Sequence, residues 1–232
     1  MPRSLLPLLL VLAGCALASD RLPIRESDFT PPMRLACVGD SITYGHLLPQ
    51  RERNSYPAQL QVLLGEKWVV GNFARSGATL VRKSPRPFHE QPEYKDALAF
   101  RANIVVLQLG TNDTKRETWE AESGHFVADY LELIRSFQAL PGKPRVILCR
   151  PIPLFRDRGK KDWDTDQVLR EQILPKIDDV ARQANLPVID LNAAFADASG
   201  LMPDGVHPNV AGATLMARTI YTALTGQPPV AK

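Results

Sequence analysis

Short apolar runs alternate along the chain with segments whose apolar residues recur at helical spacing. The apolar runs cover residues 35–38, 68–70, 104–109, 146–149 and 187–190. Because polar and apolar residues do not alternate within these runs, they predict strands that are buried on both faces, as in a parallel sheet. Strands that alternate with helices form βαβ units. The pattern therefore predicts a three-layer α/β/α fold around a five-stranded parallel sheet.

The segments between the runs predict amphipathic helices. One helical face contains Phe126, Tyr130, Leu133, Ile134 and Phe137, a second Leu169, Ile173, Ile177 and Val180, and a third Val210, Ala213, Ala217, Ile220 and Leu224. Apolar residues three and four positions apart lie on one side of a helix, so each face can pack on a sheet. We therefore expect helices on both faces of the sheet.

The first residues predict export rather than a part of the fold. Arg3 precedes an apolar stretch over residues 5–13, which is too short to cross a bilayer and reads as a signal peptide over 1–18. Two processing sites stay open: residues 12–15 resemble a bacterial lipoprotein box with Cys15 as the lipidated residue, while residues 16–18 fit ordinary cleavage. Either processing site predicts an exported protein that is periplasmic, lipid-anchored or extracellular. The prolines that follow predict a linker over 19–33, before a domain over 34–226.

Composition narrows the classes of partner. The 232 residues, 44% hydrophobic and 23% charged, are typical of one soluble globular core. A net charge of +3 without a basic stripe gives no reason to expect nucleic acid, and the one expected membrane contact is a lipid on Cys15. Cys37 and Cys149 lie in apolar runs and predict buried free thiols, with a disulfide as the alternative. The histidines and cysteines lack metal-ligand spacing, so we expect no metal or cofactor.

Four polar blocks follow predicted strands or precede the last helix. They are Gly39-Asp40-Ser41, Asn72-Phe73-Ala74-Arg75-Ser76-Gly77, Gly110-Thr111-Asn112-Asp113 and Asp204-Gly205-Val206-His207-Pro208. Ligands of parallel sheets bind at the carboxyl ends of the strands, so we expect the blocks to meet there. A nucleophilic serine needs an adjacent base, and His207 is the candidate for Ser41 because Asp204, three residues earlier, can orient its ring. Taken singly, each block could instead be a helix cap or a turn.

The ordered blocks resemble the SGNH hydrolases, also called the GDSL esterase and lipase family, over about residues 34–225. The resemblance implies the flavodoxin-like fold of that family, with Ser41 as nucleophile and His207 and Asp204 completing a triad. It also implies an oxyanion hole formed by the backbone N–H groups of Ser41 and Gly77 and by the side-chain amide of Asn112.

Residues 37–80 are further similar to bacterial carbohydrate O-acetylesterases, including sialate O-acetylesterase-like proteins. This similarity implies hydrolysis of acetyl esters on a sugar through an acetyl-enzyme. A broader arylesterase, thioesterase or lysophospholipase activity stays open, as does a glycan-binding surface protein without catalysis. We expect Arg150 to meet a substrate carboxylate and Trp163 to stack on a sugar ring, against the alternative of solvated loop charges and a half-buried tryptophan.

Overall fold

The computed structural model describes residues 22–155 and 165–230. Its strands are β1 (Met33–Gly39), β2 (Trp68–Ala74), β3 (Ile104–Gln108), β4 (Arg145–Arg150) and β5 (Val188–Asp190). They form one sheet in the order β2-β1-β3-β4-β5, and all four pairings are parallel. The predicted five-stranded parallel sheet is thus confirmed.

Helices cover both faces of the sheet. They are α1 (Ser41–Tyr44), α2 (Arg51–Asn54), α3 (Tyr56–Leu64), α4 (Pro92–Ala99), α5 (Arg116–Glu122), α6 (Phe126–Gln138), α7 (Thr165–Val168), α8 (Leu174–Ala184), α9 (Leu191–Ala194) and α10 (Val210–Thr225). A π-helical turn, Leu169–Ile173, joins α7 to α8, and short 3-10 turns lie at Glu26–Asp28, Phe88–Glu90, Asn112–Thr114 and Ser199–Leu201. Within the described ranges, no helix has both the length and the apolar character that crossing a membrane requires.

Alternate residues of β1 enter two separate cores, one on each face of the sheet. Ala36 and Val38 pack with α6 and α8, whereas Leu35 and Cys37 pack with α3 and α10. Successive side chains of a strand point to opposite faces, so a fully apolar strand supplies both cores. The predicted face of α6 is buried as expected, and the three-layer α/β/α fold is confirmed.

Two residues of the segment predicted as a linker, 19–33, contact the rest of the fold in the part that the structure describes. Ile24 is buried, and its N–H donates to the Leu224 carbonyl at the end of α10 at 2.7 Å. Asp28 forms an ion pair with Arg145 at 2.6 Å. The prolines hide any local periodicity here, and the partners Arg145 and Leu224 lie more than 100 positions further along the chain. The proposed signal peptide and Cys15 lie outside the described residues.

Cys37 and Cys149 are buried free thiols, as predicted. They lie in β1 and β4, and β3 separates these two strands in the sheet. Burial raises the pKa of Cys37 to about 12, although a hydrogen bond with Tyr56 has the opposite effect. Burial also raises the pKa of Cys149. Both thiols therefore act as small apolar side chains of the core.

Candidate active site

The turn between β1 and α1 places Ser41 at the carboxyl edge of the sheet. Asp40 caps α1, accepting a hydrogen bond from the Ile42 N–H at 2.9 Å. A Cβ atom on Gly39 would lie 2.2 Å from Thr43 Oγ1 and 2.8 Å from the Gln108 carbonyl oxygen, so only glycine lets α1 approach the sheet this closely. The Ser41 side chain is consequently held at a fixed position, at the start of a short helix.

A continuous chain of hydrogen bonds joins Ser41, His207 and Asp204. Ser41 Oγ lies 2.9 Å from His207 Nε2, and His207 Nδ1 lies 2.6 Å from Asp204 Oδ2. The other carboxylate oxygen of Asp204 accepts the N–H groups of Val206 and His207 at 2.9 and 2.7 Å. The structure therefore brings together the three residues that the sequence singled out, although Ser41 and His207 are 166 positions apart.

Asp204 is held as a carboxylate by its partners. Its partial burial favours the neutral acid, but the hydrogen bonds from His207 and Val206 outweigh this effect and lower the pKa of Asp204 to about 2. An ionised carboxylate at this distance fixes the proton of the imidazole on Nδ1. Nε2 is then free to accept a proton from Ser41.

Asn112 and Gly77 lie beside Ser41 in the same cleft. Asn112 donates one side-chain N–H to the Ala78 carbonyl at 3.0 Å, and its amide has a second N–H to offer. Gly77 has φ +81°, a backbone conformation that residues other than glycine rarely adopt. Ser41, Gly77 and Asn112 thus line one cleft, and their role as oxyanion donors stays a prediction.

Asp113 ties the block around Asn112 to the block around Gly77. Its carboxylate accepts the N–H groups of Leu80 and Val81 at 2.9 Å each, and it is completely buried. Burial raises the pKa of Asp113 to about 6, against the lowering effect of these hydrogen bonds. In the sequence, Asp113 stands out only as part of a motif, because the two N–H groups that it accepts lie more than 30 positions away.

The cleft around Ser41 is open and holds about 460 Å³. It is lined by Ser41, His46, Ser76, Gly77, Arg86, Asn112, Lys115, Asp204, Val206 and His207. The sequence did not single out His46, Arg86 or Lys115 as site residues, although Arg86 lies in a loop, 82–92, that was expected to shape the sugar site. The His46 ring meets the His207 ring edge to face, with centroids 4.8 Å apart. The available signal was its place five positions after Ser41, just beyond the end of α1. In the described ranges, no cluster of three His, Cys, Asp or Glu side chains is arranged to hold a metal ion.

Arg150 is the last residue of β4, but its side chain does not line the cleft as the sequence analysis expected. Its guanidinium pairs with both oxygens of Asp178 at 3.0 and 2.8 Å and also with Asp190. It is not among the residues lining the cleft, and two protein carboxylates already occupy its donors. The expected contact of Arg150 with a substrate carboxylate is therefore wrong. Arg150 instead forms ion pairs that join β4 to β5 and α8. Trp163 lies outside the described residues.

One curated protein is similar to this chain in sequence. An acetylxylan esterase of Xylanibacter ruminicola is 37% identical over 211 residues, which are 83% of this chain but 43% of that protein. The chain thus spans less than half the length of this curated relative.

Two solved structures share the fold at low sequence identity. A carbohydrate acetylesterase from Sinorhizobium meliloti superposes with a TM-score of 0.64 at 15% identity, over 82% of this chain and 96% of the other. A catalytic mutant of an acetylxylan esterase from Geobacillus stearothermophilus gives a TM-score of 0.66 at 20% identity, over 88% and 99%. At these identities, the likeness shows the fold.

Residues 37–215 match the GDSL-like lipase/acylhydrolase family. The match spans all four polar blocks and most of the sheet, including the turn that bears Ser41 and the loop that bears His207. The chain therefore belongs to the GDSL-like lipase/acylhydrolase family.

Proposed function

We propose that the chain is a carbohydrate O-acetylesterase in which Ser41 is the nucleophile, His207 the general base and Asp204 the residue that orients His207. The observation that carries the proposal is the hydrogen-bonded chain from Ser41 Oγ through His207 to Asp204, located in an open cleft. In this row of hydrogen bonds, Nε2 of His207 faces the Ser41 hydroxyl, which must lose its proton. This is the arrangement that activates a serine at neutral pH.

The reaction proceeds in two steps of acyl transfer. Ser41 Oγ bonds to the ester carbonyl carbon while His207 Nε2 takes the hydroxyl proton; the tetrahedral intermediate then releases the alcohol, which receives that proton from His207. In the second step a water molecule gives its proton to Nε2 and attacks the acetyl-serine, and acetate leaves as Ser41 regains its proton. The Asp204 carboxylate stabilises the imidazolium in both steps.

The intermediate carries its negative charge on the former carbonyl oxygen. We assign the donors to this oxygen as the N–H groups of Ser41 and Gly77 and the second N–H of the Asn112 amide. The bond from Asn112 to the Ala78 carbonyl and the brace from Asp113 support this assignment, because they fix both blocks before substrate binds. Donors that need no rearrangement stabilise a developing charge most effectively.

The shape and polarity of the cleft favour a small acyl group on a polar alcohol. Among the described residues that line it, Val206 is the single aliphatic side chain, and it is largely buried. A long acyl chain needs an extended apolar surface, and these residues supply none. The acetylxylan esterase and carbohydrate acetylesterase named above support the same substrate class.

Acetate release tests the proposal. We expect the chain to release acetate from p-nitrophenyl acetate and from acetylated xylan, and Ser41→Ala to lose nearly all of this activity, by roughly a million-fold in kcat. Acetyl esters should be cleaved faster than octanoyl esters. Undiminished turnover by Ser41→Ala would refute the nucleophile, and a preference for octanoyl esters would refute the substrate class. Glycan binding without acetate release would identify a binding protein instead.

A further inference from the structure

The cleft around Ser41 has an unbalanced charge. Arg86 and Lys115 bring cationic groups to it, whereas the one carboxylate among its described lining residues is Asp204. Asp204 is already engaged by the His207 ring and by two backbone N–H groups. Among the described residues that line the cleft, no carboxylate is therefore left to neutralise the guanidinium of Arg86.

Arg86 is the cation whose surroundings are best defined. Its Nη1 donates to the Ser76 carbonyl at 3.0 Å, and no described carboxylate forms an ion pair with it. Two arginines of neighbouring segments differ in this respect, because Arg75 pairs with Glu93 at 3.3 Å and Arg82 pairs with Glu132. A carbonyl oxygen carries no net charge, so Arg86 keeps its full charge and further N–H donors.

The backbone holds Arg86 in place beside Gly77. The Thr79 N–H donates to the Arg86 carbonyl at 3.0 Å, and the Phe88 N–H donates to the Thr79 carbonyl at 3.0 Å. A Cβ atom on Gly77 would lie 3.3 Å from Arg86 Nη1, so the guanidinium lies next to a candidate oxyanion donor. The segment bearing Arg86 is thus paired with the residues that follow Gly77.

We propose that Arg86 binds a carboxylate on the sugar, so that the preferred substrates are acetylated acidic sugars such as uronic acids. The inference rests on the proposed esterase function, since it places the sugar in the cleft of Ser41. An acetyl group carries no charge, so an anion that meets Arg86 must belong to the alcohol half of the ester. A guanidinium can bind a carboxylate through two parallel N–H bonds, which a neutral hydroxymethyl group cannot reproduce.

Binding can be measured without turnover in a Ser41→Ala protein. The two ligands are methyl glycosides of O-acetyl galacturonic acid and O-acetyl galactose, which differ by a carboxylate in place of a hydroxymethyl group. In NMR titrations at low salt, we expect the acidic sugar to bind roughly tenfold more tightly. The preference should shrink as salt is raised, because Arg86 is exposed.

Three variants in the same background identify the residue responsible. Arg86→Gln should abolish the preference, and Arg86→Lys should keep part of it, since an ammonium retains the charge but not the planar pair of donors. Arg82→Gln, an arginine paired with Glu132 outside the cleft, should leave the preference as it was.

Equal affinity for the two sugars, or a preference that survives Arg86→Gln, would overturn the proposal. A failure of the esterase function gives a different result, namely no Ser41-dependent release of acetate by the unmodified chain. If Arg86→Gln, with Ser41 intact, lowered kcat more for neutral than for acidic esters, the side chain would be assigned to the oxyanion instead. That result would also overturn the proposal.

Discussion

Asp204 allows a substitution that changes one of its hydrogen bonds while keeping two. In Asp204→Asn, the amide oxygen can replace Oδ1, which accepts the N–H groups of Val206 and His207 at 2.9 and 2.7 Å. The amide NH₂ then replaces Oδ2, 2.6 Å from His207 Nδ1. The reverse orientation would leave two backbone donors facing an NH₂ group, at a cost of about 1–3 kcal/mol for each unsatisfied donor. The loop should therefore keep its conformation.

This substitution should change the tautomer of His207. The new amide donates to Nδ1, so the ring carries its proton on Nε2, which faces Ser41 Oγ at 2.9 Å. A protonated Nε2 cannot accept the hydroxyl proton of Ser41. We expect kcat for p-nitrophenyl acetate to fall by roughly 10⁴-fold, which corresponds to about 5 kcal/mol of transition-state stabilisation.

Three measurements check this prediction. Steady-state kinetics give kcat, ¹⁵N NMR of the imidazole gives the tautomer, and thermal unfolding shows whether the loop is preserved. Asp197→Asn, on an exposed aspartate, is the matched control and should behave as the unmodified chain. A folded Asp204→Asn protein that keeps kcat within tenfold of the unmodified chain would refute the orienting role of this carboxylate.

Two further substitutions test the donors and the buried acids. Asn112→Ala removes a side-chain donor and should lower kcat by about 10²–10³-fold, or about 2.7–4 kcal/mol; an unchanged kcat in kinetic assays would exclude Asn112 from the oxyanion hole. Burial raises the pKa of Asp40 to about 7, so the folded state holds a proton that the unfolded state loses above about pH 4. The free energy of unfolding should therefore decline as pH rises from about 4 to 7. Asp40→Asn can still cap α1 and should decline less, by roughly 2 kcal/mol between pH 5 and 7 in urea titrations; equal slopes for the two proteins would contradict the titration of Asp40.

The sequence by itself determined the sheet, the helices and the order of the polar blocks. Continuous apolar runs such as 104–109 report burial on both faces, and the spacing of Phe126, Tyr130 and Phe137 reports a helix packed on one side. Both signals are local. Since parallel strands end at one edge, the position of Ser41 followed from the turn after the first strand alone.

Only the tertiary structure decided which side chains meet. Arg150 ends a strand at the edge where ligands bind, but its partners Asp178 and Asp190 come from other elements and draw it away from the cleft. Ile24 follows a proline, so its local sequence predicts no regular structure. Its hydrogen-bond partner is the Leu224 carbonyl, at the end of α10. Hydrogen bonds and ion pairs depend on side-chain direction and on residues far along the chain, which local periodicity does not encode. Local periodicity therefore could not predict that Arg86 lies beside Gly77 in the cleft, or that Arg150 lies outside it.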